Sequence, residues 1–227
     1  ARILLEKGKH VAIIMKGYKR EFDDIKVVEI GFKNEKLQLN TENLGDEALM
    51  LLENLDPVTS GRGLLVVGDD KTKSAKFAAG KFKPEIMIID DGFQHRKLFR
   101  DLDIVILNET SGGHMLPAGK LREPLKNYKR ADLIVMNNKF ETNVLNENKK
   151  NKPQLICSYV FEAFLNFRSE VHANGQGKNA IVFCGIGEPR SFKKLLEKHE
   201  INIKEFIVYP DHHYFTNKNV NDILHKY

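Results

Sequence analysis

A set of short apolar runs constrains the fold more than any other feature of the chain: Val11–Met15, Gly63–Val67, Ile86–Ile89 and Leu133–Met136, with Leu102–Leu107 interrupted only by Asp103. Strands that are apolar throughout, rather than alternating, are buried on both faces, as in parallel sheets covered by crossover helices. Helical stretches fall between them. Glu47–Leu55 places Leu49, Leu51 and Leu52 near one face, and Lys71–Phe82 carries Ala75, Ala78 and Ala79, small enough for close packing. Lys26–Ile30 alternates in part and is a further strand candidate. This succession predicts βαβ units and hence an α/β fold with a mostly parallel sheet and helices on both faces.

A composition of 41% hydrophobic and 30% charged residues excludes a disordered or fibrous chain. From Asn137 to Pro153 the sequence turns to Asn, Lys and Glu, the mark of a surface linker, and Gln154–Phe167 then reads as extended ribbon. Ala180–Cys184, a helix over Arg190–His199 and Glu205–Tyr209 form another β-α-β stretch. The expected organisation is a core lobe over 1–150, then a ribbon and a smaller C-terminal α/β lobe over 151–227. Ala1–Gly8 reads as the end of a helix begun upstream. Cys157 and Cys184 lie in separate apolar segments without metal-ligand spacing, which predicts buried reduced thiols and a cytoplasmic setting. No apolar run approaches the roughly 18 to 20 residues of a membrane span. A net charge of +5 permits anionic lipid, a phosphorylated substrate or nucleic acid as partner without choosing among them.

The most specific local signal is a strand that ends in acid, Ile86-Met87-Ile88-Ile89 running into Asp90-Asp91. Open α/β sheets hold ligands at the carboxyl ends of their strands, and a carboxylate there is how P-loop enzymes keep Mg²⁺ beside nucleotide phosphates. Asp90 is thus a candidate metal ligand; the alternative is an acidic turn that merely closes the strand. The stretch that follows, Asp90-Asp91-Gly92-Phe93-Gln94-His95-Arg96-Lys97-Leu98-Phe99-Arg100-Asp101, packs acid, amide, imidazole and guanidinium groups more densely than a plain loop does.

That stretch closely resembles the long signature of the tetraacyldisaccharide 4'-kinases. A second block, Leu116-Pro117-Ala118-Gly119-Lys120-Leu121-Arg122-Glu123-Pro124-Leu125, is similar to another signature of the family. Shorter matches at Gly17-Tyr18-Lys19-Arg20, Gly45-Asp46-Glu47 and Pro210-Asp211-His212 fall in the expected order. The resemblance implies transfer of the ATP γ-phosphate to the 4'-hydroxyl of a tetraacylated glucosamine disaccharide 1-phosphate. It also implies Mg²⁺, a P-loop-type sheet, and work as a monomer at the cytoplasmic face of the bacterial inner membrane, without nucleic acid.

The same resemblance assigns roles to individual residues. Asp46, otherwise a helix N-cap, becomes the catalytic base, and His212 the residue that orients or tunes it. Glu47 is either a first-turn acid favoured by the helix dipole or an aid to Mg²⁺ binding beside Asp90. Asp91, Gln94 and His95, otherwise polar loop residues, fall beside the nucleotide. Arg122 and Glu123, otherwise a surface ion pair of small weight, face the disaccharide and its phosphate, as do Tyr18, Lys19 and Arg20.

The chain also departs from the pattern. P-loop kinases need a Gly-rich loop opening a helix, and these 227 residues contain no such match. Gly63–Thr72 is a decoy, because Asp69 and Asp70 separate Gly68 from Lys71 and would repel phosphate. The loop and a membrane-associated helix are expected upstream of Ala1, Tyr227 falls early, and little or no kinase activity is expected of these residues alone. Met15-Lys16 stands where the family usually has Ser-Arg.

Two rival readings have specific tests. Asp211-His212-His213 resembles a metal motif of phosphoesterases, although it comes late and lacks an early Asp-x-Asp strand. A basic binding module would need a lysine stripe, whereas the lysines here are scattered among acids. Gly185-Ile186-Gly187 before a helix is a weak dinucleotide fingerprint without its third glycine.

Overall fold

In the computed structural model, the apolar run at Val11–Met15 becomes the interior of a sheet. Described residues are 1–17, 24–30, 44–55, 61–108, 114–119, 121–137, 152–165, 171–172 and 176–226. They divide into two units, Ala1–Asp103 and Ile104–Tyr227.

In the first unit a short helix α1 (Arg2–Glu6) leads into β1 (His10–Met15), followed by β2 (Lys26–Ile30), α2 (Asp46–Leu55), β3 (Arg62–Val67), α3 (Lys71–Phe82) and β4 (Ile86–Ile89). The sheet order is β2-β3-β1-β4. β1 runs parallel to β3, with Val11 opposite Gly63 and Met15 opposite Val67, and parallel to β4, with Ile14 opposite Ile89. Glu85 fixes the start of β4 beside β1, since its carboxylate accepts from the His10 amide and from Lys9 Nζ, each at 2.8 Å.

Because side chains alternate across a strand, the unbroken apolar runs feed two cores. On one face Val11, Ile13, Met15, Leu65 and Val67 pack with Ala48, Leu52 and Leu55 of α2 and with Leu5 of α1. On the other, Ala12, Ile14, Leu64 and Val66 pack with Ala75 and Ala78 of α3. Covering both faces is what the continuous runs predict, and each fully buried Val, Leu or Ile contributes about 1.5–3 kcal/mol. β2 differs: it is an antiparallel edge strand, Lys26 opposite Val67 and Ile30 opposite Gly63. Its partial alternation reports this, with Val28 and Ile30 buried and Glu29 exposed.

α3 has the limits that the sequence predicts. Asp70 caps its N-terminus, accepting from the Thr72 and Lys73 amides at 2.8 and 3.1 Å. At the other end Lys83 adopts a left-handed conformation (φ 48°) ahead of Pro84.

In the second unit β5 (Ile104–Asn108), β6 (Leu133–Asn137) and β7 (Gln154–Cys157) form a parallel sheet with β6 in the middle. A 3₁₀ segment over Leu125–Arg130 precedes β6, and Leu125 and Tyr128 pack on Leu107, Ile134 and Met136. β8 (Phe164–Leu165) and β9 (Val171–His172) make a small antiparallel pair. β10 (Asn179–Cys184), α4 (Pro189–Lys198) and β11 (Asn202–Val208) form the expected β-α-β unit with parallel strands, and α5 (Asn217–Leu224) follows. Cys157 corrects the expectation of two buried thiols: Cys184 is buried, but Cys157 is exposed at the end of edge strand β7. Among the described residues no helix is long and apolar enough to cross a membrane.

Candidate functional site

The carboxyl ends of β1, β3 and β4 lie side by side in the first unit, where an open α/β sheet holds its ligands. β4 delivers Asp90 and Asp91 to this edge. The Asp90 amide donates to the Ile14 carbonyl at 2.9 Å, which extends the β1–β4 pairing by one residue. Asp91 then turns the chain with φ 45°, an uncommon conformation for a non-glycine residue. Gly92 permits the turn to close: a Cβ there would sit 2.9 Å from Ile89 Cγ2.

The loop beyond is tied down rather than loose. The His95 amide donates to Gly92 O at 3.0 Å and the Leu98 amide to His95 O at 3.1 Å. Arg100 Nη1 donates to His95 O and Leu98 O at 2.7 and 2.9 Å, while its Nη2 and Nε meet the two carboxylate oxygens of Asp103. Asp90, Asp91, Gln94 and His95 remain exposed along this braced loop.

Lys71 was not among the residues singled out from sequence. It is 4% exposed, and its Nζ donates to the main-chain oxygens of Asp90 and of Asp91, the latter at 3.2 Å. A signal was available: a cation in the first turn of a helix opposes the helix dipole, so a lysine there has a use elsewhere. The decoy reading of Gly63–Thr72 holds, since the first amides of α3 are occupied by the Asp70 carboxylate. Hydrogen bonds from the amides of Lys73 and Thr72 hold that carboxyl below its usual range, and the charges of Lys73 and His95 add to the effect.

Asp46 and Glu47 are the first residues of α2 and are exposed, with the Glu47 amide donating to Asp46 Oδ1 at 2.9 Å. At the far end of this helix the Asn54 carbonyl accepts from Arg2 of α1, the helix that enters β1. Ten residues of helix span about 15 Å, so the Asp46 end is directed toward the carboxyl ends of the strands. Leu44, two residues earlier, is buried in the cluster that holds Met15 and Val67, the last residues of β1 and β3. Tyr18, Lys19 and Arg20 lie outside the described residues.

In the second unit Arg122 is exposed, whereas Glu123 accepts from Arg130 Nη1 and Nη2, both at 3.0 Å, and from Asn127 Nδ2 at 2.9 Å. Glu123 thereby braces the 3₁₀ segment. His212 follows β11 with φ 54°, its amide donating to Gly185 O at 3.0 Å and its Nε2 4.0 Å from Asp211 Oδ2. Gly185 and Gly187 make room for this loop: Cβ atoms there would lie 3.0 Å from His213 Cβ and 3.2 Å from Asp211 Oδ2. That packing, not a dinucleotide, accounts for the two glycines. His213 stacks on Tyr209 at 4.5 Å and its Nε2 lies 3.1 Å from Asn219 Oδ1. Among the described residues no three His, Cys, Asp or Glu side chains are grouped to hold a metal. Asp46 and His212 belong to different units.

The model of the tetraacyldisaccharide-1-P 4'-kinase family matches residues 1–227. The chain is similar to the tetraacyldisaccharide 4'-kinase of Aquifex aeolicus, 35% identical over 216 residues that cover 93% of this chain and 65% of that protein. It is likewise similar to that of Chlorobaculum parvum, 32% identical over 229 residues covering 96% of this chain and 61% of that protein. Among solved structures it is similar to LpxK from Aquifex aeolicus in complex with ATP, with a TM-score of 0.69, 33% identity, and coverage of 93% of this chain and 66% of that one. The chain thus spans just under two thirds of the length of these relatives. With the family model matched over residues 1–227 and an acid-tipped strand where an open α/β sheet holds its ligands, this chain belongs to the tetraacyldisaccharide-1-P 4'-kinase family.

Proposed function

We propose that the gene product containing this chain is a lipid kinase that transfers the γ-phosphate of ATP to the 4'-hydroxyl of a tetraacylated glucosamine disaccharide 1-phosphate in lipid A biosynthesis. The observation that carries this reading is the family match over residues 1–227, joined to Asp90 and Asp91 at the carboxyl end of β4. ATP as phosphoryl donor is supported by the similar LpxK structure from Aquifex aeolicus, which is in complex with ATP.

In this reading Asp46 takes the proton of the 4'-hydroxyl as its oxygen attacks the γ-phosphorus and the bond to ADP breaks, and the family pattern gives His212 the role of orienting or tuning that base. Asp90, with Glu47, would hold Mg²⁺, and Asp91, Gln94 and His95 would meet the nucleotide. The donor set suits that ion. Mg²⁺ is commonly bound by one or two carboxylates plus substrate phosphates rather than by an all-protein cage, and Asp90 and Glu47 are both exposed carboxylates. When bound, Mg²⁺ supplies charge neutralisation at the phosphates. Arg122 and the Tyr18-Lys19-Arg20 segment would contact the phosphorylated disaccharide. Glu123 would act through Arg130 and Asn127, the partners it holds. The protein would work as a monomer at the cytoplasmic face of the inner membrane.

The test is incubation of the full-length gene product with γ-labelled ATP, Mg²⁺ and the tetraacyldisaccharide 1-phosphate. Label on the 4'-oxygen is the expected result. Hydrolysis of ATP without transfer, or no reaction while the protein is folded, would overturn the reading.

A further inference from the structure

We propose that Lys71 is a positioning residue for this phosphoryl transfer, its buried ammonium fixing the Asp90–Asp91–Gly92 turn from which the metal-binding carboxylate projects. The inference rests on the kinase reading above for its chemical consequence, and on geometry alone for the hold itself.

Among the described residues Lys71 is the one charged side chain that is buried, at 4% exposure. Two general terms oppose this placement. Taking an ammonium out of water is costly, and the first turn of α3 presents the positive end of the helix dipole. A lysine that faces both penalties is held by what it bonds, and its bonds go to the carbonyls of Asp90 and Asp91.

Those carbonyls belong to a turn with little backbone freedom. Asp91 has φ 45°, a conformation that persists only where its surroundings impose it. Gly92 is pressed against Ile89, with no room for a Cβ. The Asp90 amide is already fixed by Ile14 O at 2.9 Å, so Lys71 fixes the opposite side of the same residue, and the direction of the Asp90 side chain follows. By bonding main-chain oxygens Lys71 sets this geometry without neutralising the Asp90 carboxylate. His95, proposed above to meet the nucleotide, sits on the same loop, so Lys71 would reach it through backbone rather than by direct contact.

The experiment uses Lys71→Met, which fits a buried site but cannot donate, beside Lys71→Arg and, as control, Lys76→Met on the exposed side of α3. In full-length protein, hydrogen exchange at the Asp90 amide should speed up about tenfold in Lys71→Met while the Leu65 amide in β3 stays at the parental rate, the pattern of a local rather than global opening. A misplacement on the 1 Å scale costs about 10²-fold in rate, so kcat should fall by about that factor with KM for ATP nearly unchanged. Lys71→Arg should recover most of the loss, and Lys76→Met should match the parent. Parental kcat in Lys71→Met, equal acceleration at Asp90 and Leu65, or a Lys71→Arg no better than Lys71→Met would each overturn the proposal. If the parent transfers no phosphate at all, the kinase reading fails, and the exchange result alone decides whether Lys71 holds the turn.

Discussion

Replacing Gly68 with alanine tests the joint on which the candidate site is mounted. Gly68 follows β3, and its amide donates to Met15 O at 3.1 Å. A Cβ added there would lie 2.3 Å from Ser74 Oγ, about 1 Å short of ordinary contact, and 3.4 Å from Ile25 Cγ1, which is tolerable. Ser74 is fully buried on α3, where close packing leaves little room for another rotamer, and its Oγ has no hydrogen-bond partner among the described residues. Relief therefore requires α3 itself to move, and with it Asp70 and Lys71. Overpacking of this kind costs about 1–3 kcal/mol. Ser74→Ala removes the colliding atom and leaves Cβ atoms 3.6 Å apart, so the double variant should regain most of that loss, a coupling of about 1–3 kcal/mol. Ser74→Ala alone should be neutral or stabilising by about 1 kcal/mol, because it deletes a buried hydroxyl that has no partner among the described residues. Urea denaturation followed by far-ultraviolet circular dichroism measures the cycle, and hydrogen exchange at Val66 assigns the transition to this unit. A Gly68→Ala variant within about 0.5 kcal/mol of the parent, the ordinary range for a surface change, would refute the argument, as would a double variant no more stable than Gly68→Ala.

Further outcomes follow from the same structure. Asp70 has a folded pKa below its unfolded value of 3.8, so its stabilisation of α3 is fully present above that value and is lost as pH falls through the lower folded one; Asp70→Ala should flatten the acid limb of a stability–pH curve, measured by thermal melts from neutral to acid pH. Cys157 is exposed, whereas Cys184 is buried and desolvation pushes its thiol up; a thiol reagent should therefore modify Cys157 rapidly in the native state and Cys184 only on unfolding. In the full-length protein Asp46→Ala should lower the phosphoryl-transfer rate by about 10²–10⁴-fold, the usual range for loss of a general base; unchanged turnover removes Asp46 from the mechanism.

The parts of this molecule that were legible in the sequence are those set by local pattern. Val11–Met15 and Gly63–Val67 are apolar at every position, and that continuity required two covered faces, which α2 and α3 supply. Ile86–Ile89 followed by two aspartates announced a strand with acid at its tip, and that is where Asp90 and Asp91 lie. Pairings across long stretches of chain were not visible in this way. Nothing near Lys71 in sequence names Asp90 and Asp91 as its partners, nineteen and twenty residues away. Likewise the apolar neighbours of Cys157 could not show that β7 would be an edge strand with all four residues exposed. Glu123 was read as the neighbour of Arg122, whereas the 3₁₀ segment brings Arg130 round to it.

The proposed role of the Asp90 carboxylate at the tip of β4 is that it would hold Mg²⁺, which would supply charge neutralisation at the phosphates. It is tested most directly by the initial rate of phosphoryl transfer against Mg²⁺ concentration, for the full-length protein and for Asp90→Asn, with equal hydrogen-exchange protection of β1 and β3 establishing that both are folded. The account predicts a rate lower by about 10²-fold or more in Asp90→Asn, with partial recovery as Mg²⁺ is raised, since loss of a charge-stabilising group in the site costs on that scale. Parental rates at every Mg²⁺ concentration would contradict it.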